Sequence, residues 1–144
     1  MSEDIHISDL ATPQLNAAQR GAIDYGESLP RIELRSADIL AEAQALTGLQ
    51  DFGPADFLPR LELLCDEWGS DPNLLNIGRL SLRNKLLQNA KGRLLVQDVL
   101  SRHPEIHEVE IRAPIIVAGL PRSGTTHLLN LMAADTRLRA LPLW

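Results

Sequence analysis

The sequence predicts an α/β fold, a parallel sheet flanked by helices in three layers, preceded by an all-helical N-terminal region. Three observations lead there. Residues 36–104 carry apolar side chains at helical spacing. The β-branched run Ile115-Ile116-Val117-Ala118 has the character of a buried parallel strand. A glycine-rich turn follows that run at once and opens into another helical pattern. Strand, glycine turn and helix make half of a βαβ unit.

Residues 1–35 are polar, with Pro13, Gly21, Gly26 and Pro30 scattered through them, and read as a poorly structured lead-in. Ser36 is placed as the N-cap of a helix through Leu46, with Ile39, Leu40, Ala43 and Leu46 along one side and Gly48 as its stop. After the loop Asp51-Phe52-Gly53-Pro54, Asp56 caps a second helix that tolerates Pro59 in its first turn and runs to about Trp68. Leu58, Leu61, Leu64, Cys65 and Trp68 line one face of it. Asp71-Pro72 reads as cap and first-turn proline of a helix from Asn73 to Arg102, with Gly78 and Gly92 as points of bending or division. Arg79, Arg83, Lys85, Lys91, Arg93 and Arg102 are expected on its water-facing side.

His103-Pro104 closes that helical region, 36–104, and residues 105–144 form the start of the α/β part. Ile106, Val109 and Ile111 suggest a loosely extended stretch, Pro114 leads into the strand, and Thr125 to about Ala134 reads as a helix carrying Leu128, Leu129, Leu131 and Met132. One strand, or two if Arg139 to Trp144 is extended, cannot bury both its faces and its edges, so the α/β part reads as incomplete.

Composition narrows the function classes. With 14 Lys and Arg against 19 Asp and Glu, the 144 residues carry a net charge of −5, which disfavours nucleic-acid binding through bulk charge. Aromatic residues are only 3%, so the core is expected to be aliphatic. Cys65 is the single cysteine, which rules out an intramolecular disulfide and a thiolate zinc site. No run approaches the ~18 apolar residues of a membrane span, and the first 35 residues lack a signal-peptide core, so a cytoplasmic protein is expected. Residues 112–144 nevertheless hold Arg112, Arg122, Arg137 and Arg139 against Asp135 alone, and this is where an anion is expected.

The chemistry centres on Gly119-Leu120-Pro121-Arg122-Ser123-Gly124-Thr125-Thr126, which matches the first part of a phosphate-cradling P-loop between strand and helix. Glycines let successive N–H groups converge, and the helix beginning near Thr125 adds its positive dipole end. An NTP-binding loop places lysine directly after the second glycine, but that position is Thr125, and the cation stands earlier, at Arg122. ATP is therefore a poor candidate. A cation on that side of the glycine is suited to neutralising charge on a leaving-group oxygen.

Pro121-Arg122-Ser123-Gly124-Thr125-Thr126 after an apolar strand resembles the 5′-phosphosulfate-binding loop of sulfotransferases. Thr47-Gly48-Leu49 with Asp51-Phe52-Gly53, Arg102-His103-Pro104-Glu105-Ile106, and the stretch from Ala133 to Arg139 resemble the bacterial branch of that family. The resemblance implies a P-loop-type fold and 3′-phosphoadenosine 5′-phosphosulfate (PAPS) as sulfuryl donor. It further implies a small-molecule hydroxyl or amine acceptor and no metal. It places the main-chain amides of Ser123, Gly124, Thr125 and Thr126 on the 5′-phosphate, and Arg122, as the catalytic residue, on the bridging oxygen between phosphorus and sulfur. Pro121 lies in the same cofactor-binding stretch. So does His127, where cytosolic members have an aromatic residue stacked on the adenine; histidine would stack there less well, or face solvent on the first helical turn.

The family's further strands, its 3′-phosphate site, its acceptor pocket and its base have no counterpart in the sequence. The chain is therefore expected to be an N-terminal portion, inactive alone. Two other readings stand beside this one. The first is a non-catalytic helical interaction module with an anion-binding loop. The second is a P-loop nucleotide kinase, which would need the missing lysine and a magnesium-binding acid.

Overall fold

The structure is a computed structural model that describes residues 14–120 and 122–140. Five α-helices form there: α1 (Ala17–Ser28), α2 (Ser36–Thr47), α3 (Leu58–Ser70), α4 (Asn76–Arg102) and α5 (Thr125–Ala133). The chain divides into two units, Met1–Ile106 and His107–Trp144.

In the first unit α1, α2 and the core pack around α4. Ile39 and Ala43 of α2, Leu61 and Cys65 of α3, and Leu86, Leu87, Ala90 and Leu94 of α4 are buried together with Leu34. Phe52, Phe57 and Trp68 pack at the margin, so the buried centre is aliphatic. Burial, and secondarily the charge of Asp66, pushes the Cys65 thiol up, which keeps it protonated and a poor nucleophile.

Helix α1 lies in the stretch that the sequence leaves as a poorly structured lead-in. What specifies it is a capping box: the Asn16 side chain accepts from the Gln19 N–H at 2.9 Å, and the Gln19 side chain accepts from the Asn16 N–H at 2.8 Å. It then packs closely on α4, since a Cβ at Gly26 would lie 2.7 Å from the Ile77 Cβ.

Other boundaries shift for identifiable reasons. Ser36 is the first residue of α2 and not its cap; the capping position is Arg35, whose side chain makes no cap bond. Gly48 does end that helix, in the left-handed region at φ +71°. Asp56 falls in a 3₁₀ turn, Ala55–Phe57, ahead of α3. Asp71 accepts from the Asn73 N–H at 2.8 Å in a local turn, and α4 begins only at Asn76. Neither Gly78 nor Gly92 divides α4, which runs unbroken for 27 residues.

The basic side of α4 is not uniformly water-facing. Arg79 is only 3% exposed, and its guanidinium donates to the carbonyls of Gly69 and Asp71, closing the C-terminal end of α3. Arg83 pairs with Glu42 of α2. Arg93 donates to the carbonyls of Phe52 and Pro54, pairs with Asp56 and lies 4.3 Å from the Phe57 ring centre. Lys85 and Arg102 are exposed, as expected. Charge alone could not separate these roles, because a guanidinium that reaches backbone carbonyls can be buried where an exposed-face pattern would place it in water.

Among the described residues there is no strand and no sheet, and this overturns the three-layer parallel sheet expected from residues 115–118. A strand exists by virtue of a ladder, and no described residue forms backbone hydrogen bonds with this run. Ile116 is 81% exposed. The β-branched run expresses a preference for a pleated, half-buried surface but supplies no partner. Pro104–Glu108 is a 3₁₀ turn, where a loosely extended stretch is expected to begin. Of the segment Arg139 to Trp144, residues 141–144 lie outside the described residues.

Helix α5 of the second unit ends in a tight turn built on Asp135, which accepts from the Arg137 N–H at 3.0 Å and pairs with its guanidinium at 2.6 Å. Those side-chain hydrogen bonds, and then the backbone one, hold the Asp135 carboxyl below the usual carboxylate range. A carboxyl whose folded pKa is depressed stabilises the turn above its ordinary pKa, and that contribution disappears as pH falls through the folded value. The Asp135 titration followed by NMR is expected to have its midpoint below about 3.9, and Arg137→Ala to move it up toward that value.

Stability tests follow from the first unit. Leu94 is fully buried, so Leu94→Ala is expected to lower the unfolding free energy by about 2–5 kcal/mol in urea melts. Arg79→Ala, which strips buried carbonyls of a charged donor, is expected to lower it by about 3 kcal/mol, whereas the exposed Lys85→Ala stays within about 0.5 kcal/mol.

Candidate functional site

Between Gly119 and α5 the backbone turns back on itself. Arg122 has φ +67° and Gly124 has φ +86°, so left-handed residues stand on either side of Ser123. For a residue with a side chain that conformation costs about 1–2 kcal/mol, and Arg122 is held in it. Gly119 is required for a different reason: a Cβ there would sit 2.6 Å from the Ser123 Oγ and 2.8 Å from the Thr125 Cγ2. The turn is closed by the Leu120 carbonyl, which accepts from both the N–H and the Oγ–H of Ser123, at 3.2 and 2.6 Å. Pro121 lies outside the described residues.

Gly124 is the N-cap of α5, and no side chain caps the helix. The first intrahelical bond runs from the Leu128 N–H to the Gly124 carbonyl at 3.0 Å. A helix start leaves four donors without intrahelical partners, and here they are the N–H groups of Gly124, Thr125, Thr126 and His127. Among the described residues none accepts from them. Gly124, Thr126 and His127 are exposed and Thr125 is half-buried, so the donors lie at an open surface. Thr125 and Thr126, with Val117 and Leu129, line a small hollow of about 190 Å³ beside them.

The cation of the loop is equally uncommitted. Arg122 is exposed and makes no ion pair among the described residues, whereas Arg112 is held by Glu110 at 2.8 Å and Arg137 by Asp135 at 2.6 Å. Of the four arginines that mark residues 112–144 as basic, two are thus neutralised locally, and Arg122 stands in the loop itself.

A larger opening of about 460 Å³ in the same unit is lined by Ile111, Ile115, Val117, Leu129, Met132 and Leu138. Arg112, Arg137 and Arg139 also line it, the first two paired with Glu110 and Asp135, so its wall is mixed in character.

The arrangement can therefore receive one tetrahedral anion: free amides, a helix dipole and a guanidinium. A helix terminus contributes about 0.3–1 kcal/mol to a nearby negative charge, and each charge-assisted hydrogen bond about 1.5–3 kcal/mol. Of the residues predicted from sequence, Arg122, Ser123, Gly124, Thr125, Thr126 and His127 all fall in or beside this loop. Sequence reasoning did not identify the Leu120 carbonyl as the anchor of the turn; the available signal was a serine three residues beyond it, in a turn. His127 is exposed on the first turn of α5 and contributes a free N–H.

No protein-family model matches the chain, and no curated protein matches it. Among solved structures it is similar to the crystal structure of sulfotransferase STF1 from Mycobacterium tuberculosis H37Rv, with 32% sequence identity and a TM-score of 0.73. The match covers 80% of this chain and 32% of that one. The fold is therefore sulfotransferase-like, and the chain spans about a third of the length of the protein it resembles.

Proposed function

We propose that this chain is the donor-binding portion of a sulfotransferase, with the loop 119–126 receiving the 5′-phosphosulfate of PAPS. The observation that carries the reading is the set of N–H groups from Gly124 to His127, which have no acceptor among the described residues, beside the unpaired Arg122. The likeness to a sulfotransferase supports it independently. When bound, PAPS supplies a sulfuryl group for transfer to an acceptor hydroxyl or amine.

The chain's own residues do the rest by position and charge. The amides of Gly124, Thr125 and Thr126 hold the 5′-phosphate, and the His127 amide completes the first turn. Ser123 departs from the expected set, since its N–H is already given to Leu120. Arg122 places a permanent cation where negative charge grows on the departing nucleotide. A cation fixed there in advance stabilises the charge without reorganisation. His127 flanks the site for the adenine. No metal enters this scheme, and the acceptor is a small molecule.

Two measurements test this. Thermal melting with adenosine 3′,5′-bisphosphate at a hundred times its dissociation constant should stabilise the chain by about 2.7 kcal/mol. Arg122→Ala should weaken binding by about 10–100-fold, the equivalent of one charged hydrogen bond. An unchanged melting temperature at millimolar bisphosphate would overturn the reading. Because the match covers only 32% of the sulfotransferase it resembles, binding without turnover is the outcome expected for these 144 residues, and sulfuryl transfer by the purified chain would contradict that part.

A further inference from the structure

We infer that Ser123 is a positioning residue that braces the loop, and that it is not itself a ligand of the anion. The inference rests on the donor-binding reading of this loop and deepens it. Both donors of Ser123 converge on one acceptor, the Leu120 carbonyl, the N–H from 3.2 Å and the Oγ from 2.6 Å. A serine hydroxyl has a single proton to give. With that proton on Leu120, the hydroxyl offers an incoming phosphate only lone pairs, and the amide is committed as well.

The surroundings show what the hydroxyl does instead. It occupies the space that a Cβ on Gly119 would need, 2.6 Å away, with the Thr125 Cγ2 against the same position at 2.8 Å. The brace therefore ties together the start of the turn, its closing residue and the first residue of α5. Ser123 also stands between the two left-handed residues, Arg122 at φ +67° and Gly124 at φ +86°. Fixing the residue between them fixes the direction in which the chain enters α5, and so the direction of the four free amides. A strained backbone conformation such as that of Arg122 persists only where its neighbours over-determine it, and the doubled bond to Leu120 is the local restraint available to do so. The roles thus divide. Gly124 to His127 present donors, Arg122 presents charge, and Ser123 holds both in register.

Amide hydrogen exchange of the ligand-free 144-residue chain, with the affinity for adenosine 3′,5′-bisphosphate measured in parallel, tests this. The Ser123 amide should exchange at least about tenfold more slowly than those of Gly124, Thr125 and Thr126. Ser123→Ala should weaken bisphosphate binding about tenfold and speed exchange of the residue-123 amide, and Ser123→Thr, which keeps the hydroxyl, should restore both. A wild-type Ser123 amide that exchanges as fast as its neighbours while bisphosphate binds would overturn the brace and leave the anion site standing. Failure of Ser123→Thr to restore binding, with Ser123→Ala folded, would overturn it too. A protected Ser123 amide with no bisphosphate binding would keep the brace and sink the donor-binding reading instead.

Discussion

Arg79 and Asn76, one turn apart at the start of α4, satisfy carbonyl groups that two other helices cannot satisfy for themselves. Arg79 donates to Gly69 and Asp71 at the end of α3. The Asn76 amide donates to Gly26, Leu29 and Pro30 at the end of α1 and accepts from the Ile32 N–H at 2.8 Å. Every helix end presents backbone groups that need partners, and at the C-terminal ends of α1 and α3 side chains of α4 provide them. With those ends closed, the aliphatic core around Ile39 and Leu94 can form without stranded carbonyls at its edge.

The N-terminus of α5 is left open as those of α2, α3 and α4 are, but it alone follows a glycine turn that carries an unpaired arginine. No side chain caps it, Ser123 turns its donors inward to Leu120, and Gly124 opens the helix from a left-handed conformation. On the proposed reading, what sets this start apart is the exposed, unpaired Arg122 beside its open amides, which a bound ligand would complete. An anion does so with oxygens in place of a capping side chain, and it also meets the dipole of the helix. Function on this view uses the same chemistry as folding, with the partner supplied from outside.

Much of this was legible in the sequence, and the exceptions are instructive. The apolar spacing marks Ile39, Ala43, Leu61 and Cys65 as core, because periodicity reports on which face is buried, but Leu46 and Leu64, placed on the same faces, are exposed. Gly119 and Gly124 mark the loop because their backbone roles admit little else. The three-layer sheet was not there to be found among the described residues: Ile115 to Ala118 carries the composition of a strand, but pairing belongs to a second segment that composition cannot name. Helix α1 was missed because Gly21 and Gly26 within it read as breakers and it buries only Gly26, although Asn16 and Gln19 spell out its capping box. The burial of Arg79 was missed because a one-residue pattern of charge does not reveal carbonyls brought near by another helix.

The central claim, that the amides at the start of α5 are an anion site, is tested most directly by an NMR titration of the chain with adenosine 3′,5′-bisphosphate, following backbone amide shifts. Saturable shifts concentrated at Gly124, Thr125, Thr126 and His127 are the expected result. Shifts scattered over the helices of the first unit, with those four amides unmoved, would contradict it.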